Sequence, residues 1–213
     1  MANKEIIVVF GATGAQGGGL AYAILNDSNS EFAVRAITRD ANSDKAKQLA
    51  QEGAEVVTAD IDDPDALKKA LEGAYGAYFV TFFWAHMSPE KEMAEAKAMA
   101  KAAKEAGLKH VIWSTLEDTR KYIPLTDDRM PTLMGNNKVP HFDAKGESDK
   151  FFSEAGVPTT FLLTSFYYDN FIYFGMGPKK GADGKLTITL PMGDRKLAMI
   201  AAEDIGKAGL WNI

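Results

Sequence analysis

Short, continuous apolar runs alternate along the chain with longer stretches of helical period. Ile6 to Phe10 is a β-branched and aromatic run that ends at a glycine, the pattern of a strand covered on both faces. The runs "FAVRAIT" (Phe32 to Thr38), "EVVTA" (Glu55 to Ala59), "AYFVTF" (Ala77 to Phe82), "HVIWS" (His110 to Ser114) and "TFLL" (Thr160 to Leu163) repeat it. The intervening stretches carry helix signals. In "SPEKEMAEAKAMAKAAKEAG", Ser88 is placed to cap, Pro89 takes the first helical position and Gly107 follows the last turn, with Met93, Ala96, Ala100 and Ala103 on one face. Asp63 before Pro64 predicts a second capped start, and Gly156 closes the helix of "DAKGESDKFFSEAG". Residues 118–140 hold three prolines and no clear period, which predicts a long loop. Strands alternating with helices require crossovers, and so an α/β fold with a parallel sheet.

Composition narrows the function classes. The chain has 213 residues, enough for one main domain with a sizeable core. A formal net charge of −5 provides no overall basic field to neutralise a phosphate backbone, so direct nucleic-acid binding is not expected. The absence of cysteine excludes disulfides and thiolate metal sites, and three histidines supply no metal-ligand cluster in their place. The start "MANKEIIVVFGATG" has too short an apolar stretch for a secretory signal. No apolar run reaches the roughly 18 residues that cross a bilayer. A cytoplasmic protein without membrane association is the expectation.

The stretch "VVFGATGAQGGGL" places five glycines in nine residues directly after the first strand. In a strand–turn–helix unit, Gly11, Gly14 and Gly17 let the backbone turn tightly and lie against a pyrophosphate that faces the helix N-terminus. A glycine-rich turn without ligand is the alternative, but the strand ending at the first glycine favours a dinucleotide. The end of the second strand decides which one. There "AITRD" puts Thr38 where NAD-binding chains carry an acid on the ribose, and Arg39 follows. A guanidinium at that point favours the 2′-phosphate of NADP(H), unless Arg39 is a solvated loop charge, alone or paired with Asp40. Asp60 and Ile61, after the third strand, flank the adenine or belong to a helix cap.

The segments "GATGAQGG", "TRD", "ADIDD", "VIWSTLED", "HFDAKGESDKFF" and "TSFYYDNF" occur together in this order. In that combination the chain resembles the NmrA-like family of atypical short-chain dehydrogenases, from about Ile6 to Gly206. The resemblance implies a Rossmann-type doubly wound parallel sheet with a C-terminal substrate or partner region. Residues 1–157 would form the dinucleotide-binding core, and 158–213 the last core strand with part of the C-terminal cleft. It implies a preference for NADP(H) and one of two functions: redox-sensing regulators that bind the cofactor without turnover, or reductases of small molecules such as quinones. Gly11, Thr13, Gly14, Gln16 and Gly17 match the family's phosphate loop, and Arg39 its adenosine-phosphate arginine. Thr81, Phe82 and Phe83 fall where relatives pass alongside the cofactor ribose, or else pack the core. Ser114 takes the position of the superfamily's catalytic serine, Lys145 that of the lysine on the nicotinamide ribose, and Tyr167 and Asn170 fall where relatives line the cleft.

Two departures matter. Tyrosine-dependent short-chain dehydrogenases place their proton-delivering phenol four residues before the lysine, where this chain has His141. His141 is therefore a candidate proton donor or a residue that only shapes the pocket, with Lys145 and Ser114 the other catalytic candidates. Relatives also continue beyond "AAEDIGKAGLW", so a reduced C-terminal region is expected here. Both departures favour a redox-sensing regulator with a protein partner; the alternative is an NADPH-dependent reductase of small quinone- or carbonyl-type substrates, with the aromatics of "FYYDNFIYF" stacking a flat ligand or packing on the sheet.

Overall fold

Pairing of the apolar runs builds the core of the computed structural model, which describes residues 4–211. The elements run β1 (Glu5–Val9), α1 (Ala15–Leu25), β2 (Phe32–Thr38), α2 (Asp44–Gln51), β3 (Glu55–Thr58), α3 (Pro64–Leu71), β4 (Gly76–Phe79), α4 (Pro89–Ala106), β5 (His110–Thr115), α5 (Pro140–Ala155) and β6 (Thr159–Leu163). Short elements follow: β7 (Phe166–Tyr167), α6 (Asn170–Tyr173), β8 (Lys179–Lys180), β9 (Leu186–Thr187) and β10 (Met199–Ile200), then the helix α7 (Ala202–Leu210). The first six strands form one parallel sheet in the order β3-β2-β1-β4-β5-β6. The chain winds outward from β1 to β3, then returns to place β4 beside β1. This is the doubly wound Rossmann-type arrangement, and its switch point lies between β1 and β4, where the carboxyl ends open a crevice.

Alternation along β1 feeds two cores. Ile7 and Val9 face a layer with Leu20, Ile24 and Leu49, whereas Val8 and Phe10 face Leu67, Met99, Trp113 and Phe152 on the other side. The helix ends follow the capping residues. Ser43, Asp63 and Ser88 accept backbone N–H bonds at the starts of α2, α3 and α4, and Gly107 and Gly156 end α4 and α5 in the left-handed region. Among the described residues no helix is long and apolar enough to cross a membrane.

Three expectations need correction. First, β4 stops pairing at Phe79 rather than Phe82, because its neighbour β1 leaves the sheet at the Gly11 turn; residues Phe83–Ala85 form a 3-10 turn instead. Secondly, the buried stripe of α4 runs from Pro89 through Glu92, Ala96, Met99, Ala100 and Ala103, with Met93 only half-buried beside it. Thirdly, Pro140 opens α5, and the preceding loop is fastened by polar bonds although it lacks apolar period. The enclosed Asp143 carboxylate accepts the backbone N–H groups of Thr119, Lys138 and Val139 and the Thr119 hydroxyl. Lys138, itself buried, donates to the carbonyls of Asp127 and Met130.

The glycine run also serves packing. A methyl at Gly17 would sit 2.5 Å from the Gly11 carbonyl oxygen, so this glycine lets α1 press on the turn after β1. Farther along α1, a methyl on Gly19 would overlap the Glu203 carbonyl, and one on Gly206 would overlap the backbone of Leu20. Helices α1 and α7 therefore meet backbone to backbone. Gly19→Val is expected to push α7 off and destabilise the protein by about 1–3 kcal/mol, the usual penalty of overpacking. Thermal or denaturant unfolding checks it; a stability within about 0.5 kcal/mol of the parent would contradict this packing account.

Candidate functional site

The crevice at the switch point begins with the turn after β1. Gly11 has φ +62°, a left-handed conformation that few other residues adopt, and its carbonyl accepts the Gly14 N–H at 2.8 Å. Gly14 is the N-cap of α1, which has no side-chain cap and no acid in its first turn. Its leading N–H groups are thus left for an anion, in contrast to the capped starts of α2, α3 and α4. A methyl at Gly14 would lie 3.1 Å from the Gly11 carbonyl. Thr13 stands on the same turn, and its carbonyl accepts Lys45 Nζ at 3.2 Å.

The end of β2 approaches this turn from the side. Thr38 is buried and its Oγ1 accepts the Asp40 N–H at 3.2 Å. Arg39 is exposed and has no ion pair or hydrogen bond among the described residues. The alternative pairing with Asp40 does not occur: the Asp40 carboxylate accepts the Asn42 N–H instead. Past β3, the Asp60 carboxylate accepts the Asp62 N–H, Ile61 packs partly into the core, and the cap of α3 is Asp63. A free guanidinium, an ammonium over the loop and an uncapped glycine-lined helix start make an arrangement that fits a phosphorylated dinucleotide.

Deeper in the crevice two hydrogen-bond hubs divide the remaining candidates. Gln16, on the first turn of α1, turns its amide inward. Its Oε1 accepts the hydroxyls of Tyr78 and Ser114, each at 2.7 Å, and its Nε2 donates to Tyr167 Oη. Burial raises the phenols of Tyr78 and Tyr167 above their ordinary range. The second hub is Lys145, enclosed on α5. Its Nζ donates to Thr81 Oγ1 at 2.6 Å, lies 2.9 Å from Glu92 Oε1 and sits 4.9 Å from the centre of the Trp113 ring. Burial lowers the Lys145 ammonium below the usual lysine range, with Glu92 opposing that shift.

Ser114 and Lys145 therefore belong to different hubs. His141 is joined to neither by a hydrogen bond; its ring packs on Trp84 at 4.8 Å and Phe83 at 5.8 Å. Burial, followed by the Lys145 charge, lowers the His141 imidazole below its usual range. Phe83 is buried, but Phe82 and Trp84 are 61% and 56% exposed. Asn170 opens α6, and the adjacent Asp169 carboxylate accepts the N–H of Ala202 at the start of α7. Sequence reasoning missed Lys45, Tyr78 and Glu92. Of these, only Glu92 left a signal, since it stands four residues before Ala96 in phase with the apolar stripe of α4.

The profile of the NmrA-like family matches residues 3–210. The chain belongs to the NmrA-like family. An NmrA-like family domain-containing oxidoreductase, lnaB of Aspergillus flavus, is 27% identical over 95% of this chain and 61% of its own length. The oxidoreductase notA of an Aspergillus species is 37% identical over 72% of this chain and 43% of that protein. Among solved structures, NmrA, a negative transcriptional regulator crystallised in complex with NADP, has 27% identity and a TM-score of 0.78 over 97% of this chain and 61% of that one. The chain thus spans about three fifths or less of the length of these relatives.

Replacing Gln16 removes a group that joins α1, β4, β5 and β7 through side chains. Gln16→Ala leaves the Tyr78 and Ser114 hydroxyls without their acceptor and Tyr167 without its donor, and is expected to cost about 1–3 kcal/mol. Denaturant unfolding measures this loss, and a change below about 0.5 kcal/mol would mean that water replaces the hub freely.

Proposed function

We propose that the protein binds NADP(H) at the switch point and reports the cofactor's redox state to a protein partner without turning it over. Gly11, Thr13, Gly14 and the first turn of α1 would take the pyrophosphate, with Gln16 and Gly17 supporting that turn. Arg39 and Lys45 would take the 2′-phosphate, Asp60 and Ile61 would border the adenine, and Thr81, Phe82 and Lys145 would border the nicotinamide ribose.

The observation that carries the regulatory reading is that most side chains able to deliver a proton here are already engaged. Ser114 and Tyr78 donate to the Gln16 carbonyl, and Lys145 is held by Thr81 and Glu92, while the Tyr167 oxygen accepts from the Gln16 amide. At the position of the dehydrogenase tyrosine stands His141, whose burial favours the neutral imidazole, a poor acid at neutral pH. The likeness to NmrA, described as a negative transcriptional regulator, supports the same reading.

A second reading, an NADPH-dependent reductase of flat quinone- or carbonyl-type acceptors, draws on the exposed Phe82 and Trp84 rings and on relatives described as oxidoreductases. The Citrobacter triphenylmethane reductase solved with NADP(H), 25% identical with a TM-score of 0.63 over 80% of this chain and 53% of that one, adds to it. In that case the nicotinamide would supply the reducing chemistry and Phe82 and Trp84 would orient the acceptor.

Both readings share the NADP preference, which is tested by calorimetry. Arg39→Ala removes a charge-assisted bond worth about 1.5–3 kcal/mol, so NADPH should bind roughly ten- to a hundredfold more weakly while NADH is nearly unchanged. Equal weakening of both dinucleotides would remove Arg39 from the 2′-phosphate site.

A further inference from the structure

Behind Lys145 lies a set of charged groups to which cofactor binding assigns no role. Glu92 is fully enclosed on α4. Its Oε1 faces Lys145 Nζ at 2.9 Å and accepts the Thr81 hydroxyl at 2.5 Å. That hydroxyl accepts in turn from Lys145 Nζ at 2.6 Å, so three groups close a triangle that fixes the ammonium's direction. The second oxygen, Oε2, faces His86 Nε2 at 3.3 Å without hydrogen-bond geometry. His86 is oriented from behind, because its Nδ1 accepts the Ser88 N–H at 3.1 Å. An accepting Nδ1 leaves the ring proton of the neutral imidazole on Nε2, which lies near Glu92 and, at 3.8 Å, Glu95 Oε2. His86, Glu92 and Glu95 have the spacing of a cation site, but a protonated Nε2 makes His86 a donor and not a ligand.

Breaking such a pair strands an enclosed charge, while apolar side chains would fill the same space between α4 and α5 without a desolvation cost. The arrangement therefore points to the lysine and not to packing. We propose that Glu92 is the positioning residue that keeps Lys145 an ammonium directed at the bound dinucleotide. The proposal rests on reading Lys145 as a cofactor contact.

The charges around Lys145 support the assignment. Burial draws its proton off; Glu92 is the strongest opposing group, followed by Glu95 from α4 and Asp149 from α5 itself. His141, on the same helix, is disfavoured as a second cation by the Lys145 charge. Glu95 is half-buried and pushed up to about 7 by burial and by Glu92, so it carries only part of a charge at neutral pH. Removing the Glu92 charge leaves burial opposed only by weaker partners, and Lys145 should then lose its proton at lower pH.

Two measurements on the full chain test this. Lysine is labelled with ¹³C at Cε, the Lys145 resonance is identified by its loss in Lys145→Met, and the label is titrated from about pH 6 to 10. Glu92→Gln should convert Lys145 to the amine about one pH unit or more below the parent, with Glu92→Asp in between. Calorimetry on the same variants should find Glu92→Gln within about threefold of the parent for NADPH near pH 6, and about tenfold or more weaker near pH 8. An unchanged Lys145 titration in the folded variant overturns the proposal, as does a loss of affinity that is independent of pH, since packing alone would produce that. If Glu92→Gln does not fold, Glu92→Asp decides by the same two readings. A parent protein that binds no NADP(H) overturns the cofactor reading, while the lysine titration still decides the role of Glu92.

Discussion

One enclosed lysine ammonium organises the carboxyl side of this sheet. Taking an ion-sized charge out of water costs several kcal/mol, and the cost is tolerable only where an opposite charge and good hydrogen bonds meet it. Lys145 obtains both from the segment after β4 and from α4, through Thr81 and Glu92. Local features follow from that requirement. Thr81 turns its hydroxyl inward, and the 3-10 turn at Phe83–Ala85 delivers His86 beside the Glu92 carboxylate. The Trp113 ring lies 4.9 Å from the ammonium, and Trp113 itself stacks on Phe152, tying the charged centre to one of the two cores.

The fold was legible because local and global preferences agree. Continuous apolar runs fit strands buried on both faces, and Ser88, Asp63, Gly107 and Gly156 mark helix ends that the tertiary structure retains. The α4 stripe was read without Glu92 for a physical reason. A pattern built on apolar residues begins the face at Met93, because a glutamate reads as solvent-facing unless its partner, more than fifty positions away in sequence, is known. The loop before α5 shows the same blindness. Its anchors are Asp143 and Lys138, charged residues satisfied by backbone groups, which carry no periodic signal. Gly19 reads only as one more glycine of the run after β1, yet the helix it must admit is α7, almost two hundred residues later in the chain.

The two ends of the crevice differ in character. At the end proposed for the adenosine the groups are open: among the described residues Arg39 has no side-chain partner, and the start of α1 has no side-chain cap. At the other end they are bonded to one another, through Gln16 on one side and Lys145 on the other. Open donors suit recognition of a phosphorylated ligand, and saturated ones suit a surface that holds a ring in place without exchanging protons. The candidate residues carried over by resemblance thus separate into a recognition group, Gly11, Thr13, Gly14 and Arg39, and a rigid group, Gln16, Thr81, Ser114, Lys145 and Tyr167. The exposed Phe82 and Trp84 belong to neither, and they are where a partner or an acceptor would meet the site.

The most direct measurement follows the absorbance of NADPH with the protein under conditions where binding saturates, across a panel of quinones and aldehydes. With Ser114, Tyr78 and Lys145 engaged, the protein should bind NADPH yet consume it no faster than the solution without protein. Turnover on the order of 1 s⁻¹ with any acceptor, ordinary for an enzyme, would contradict the regulatory account and establish the reductase reading instead.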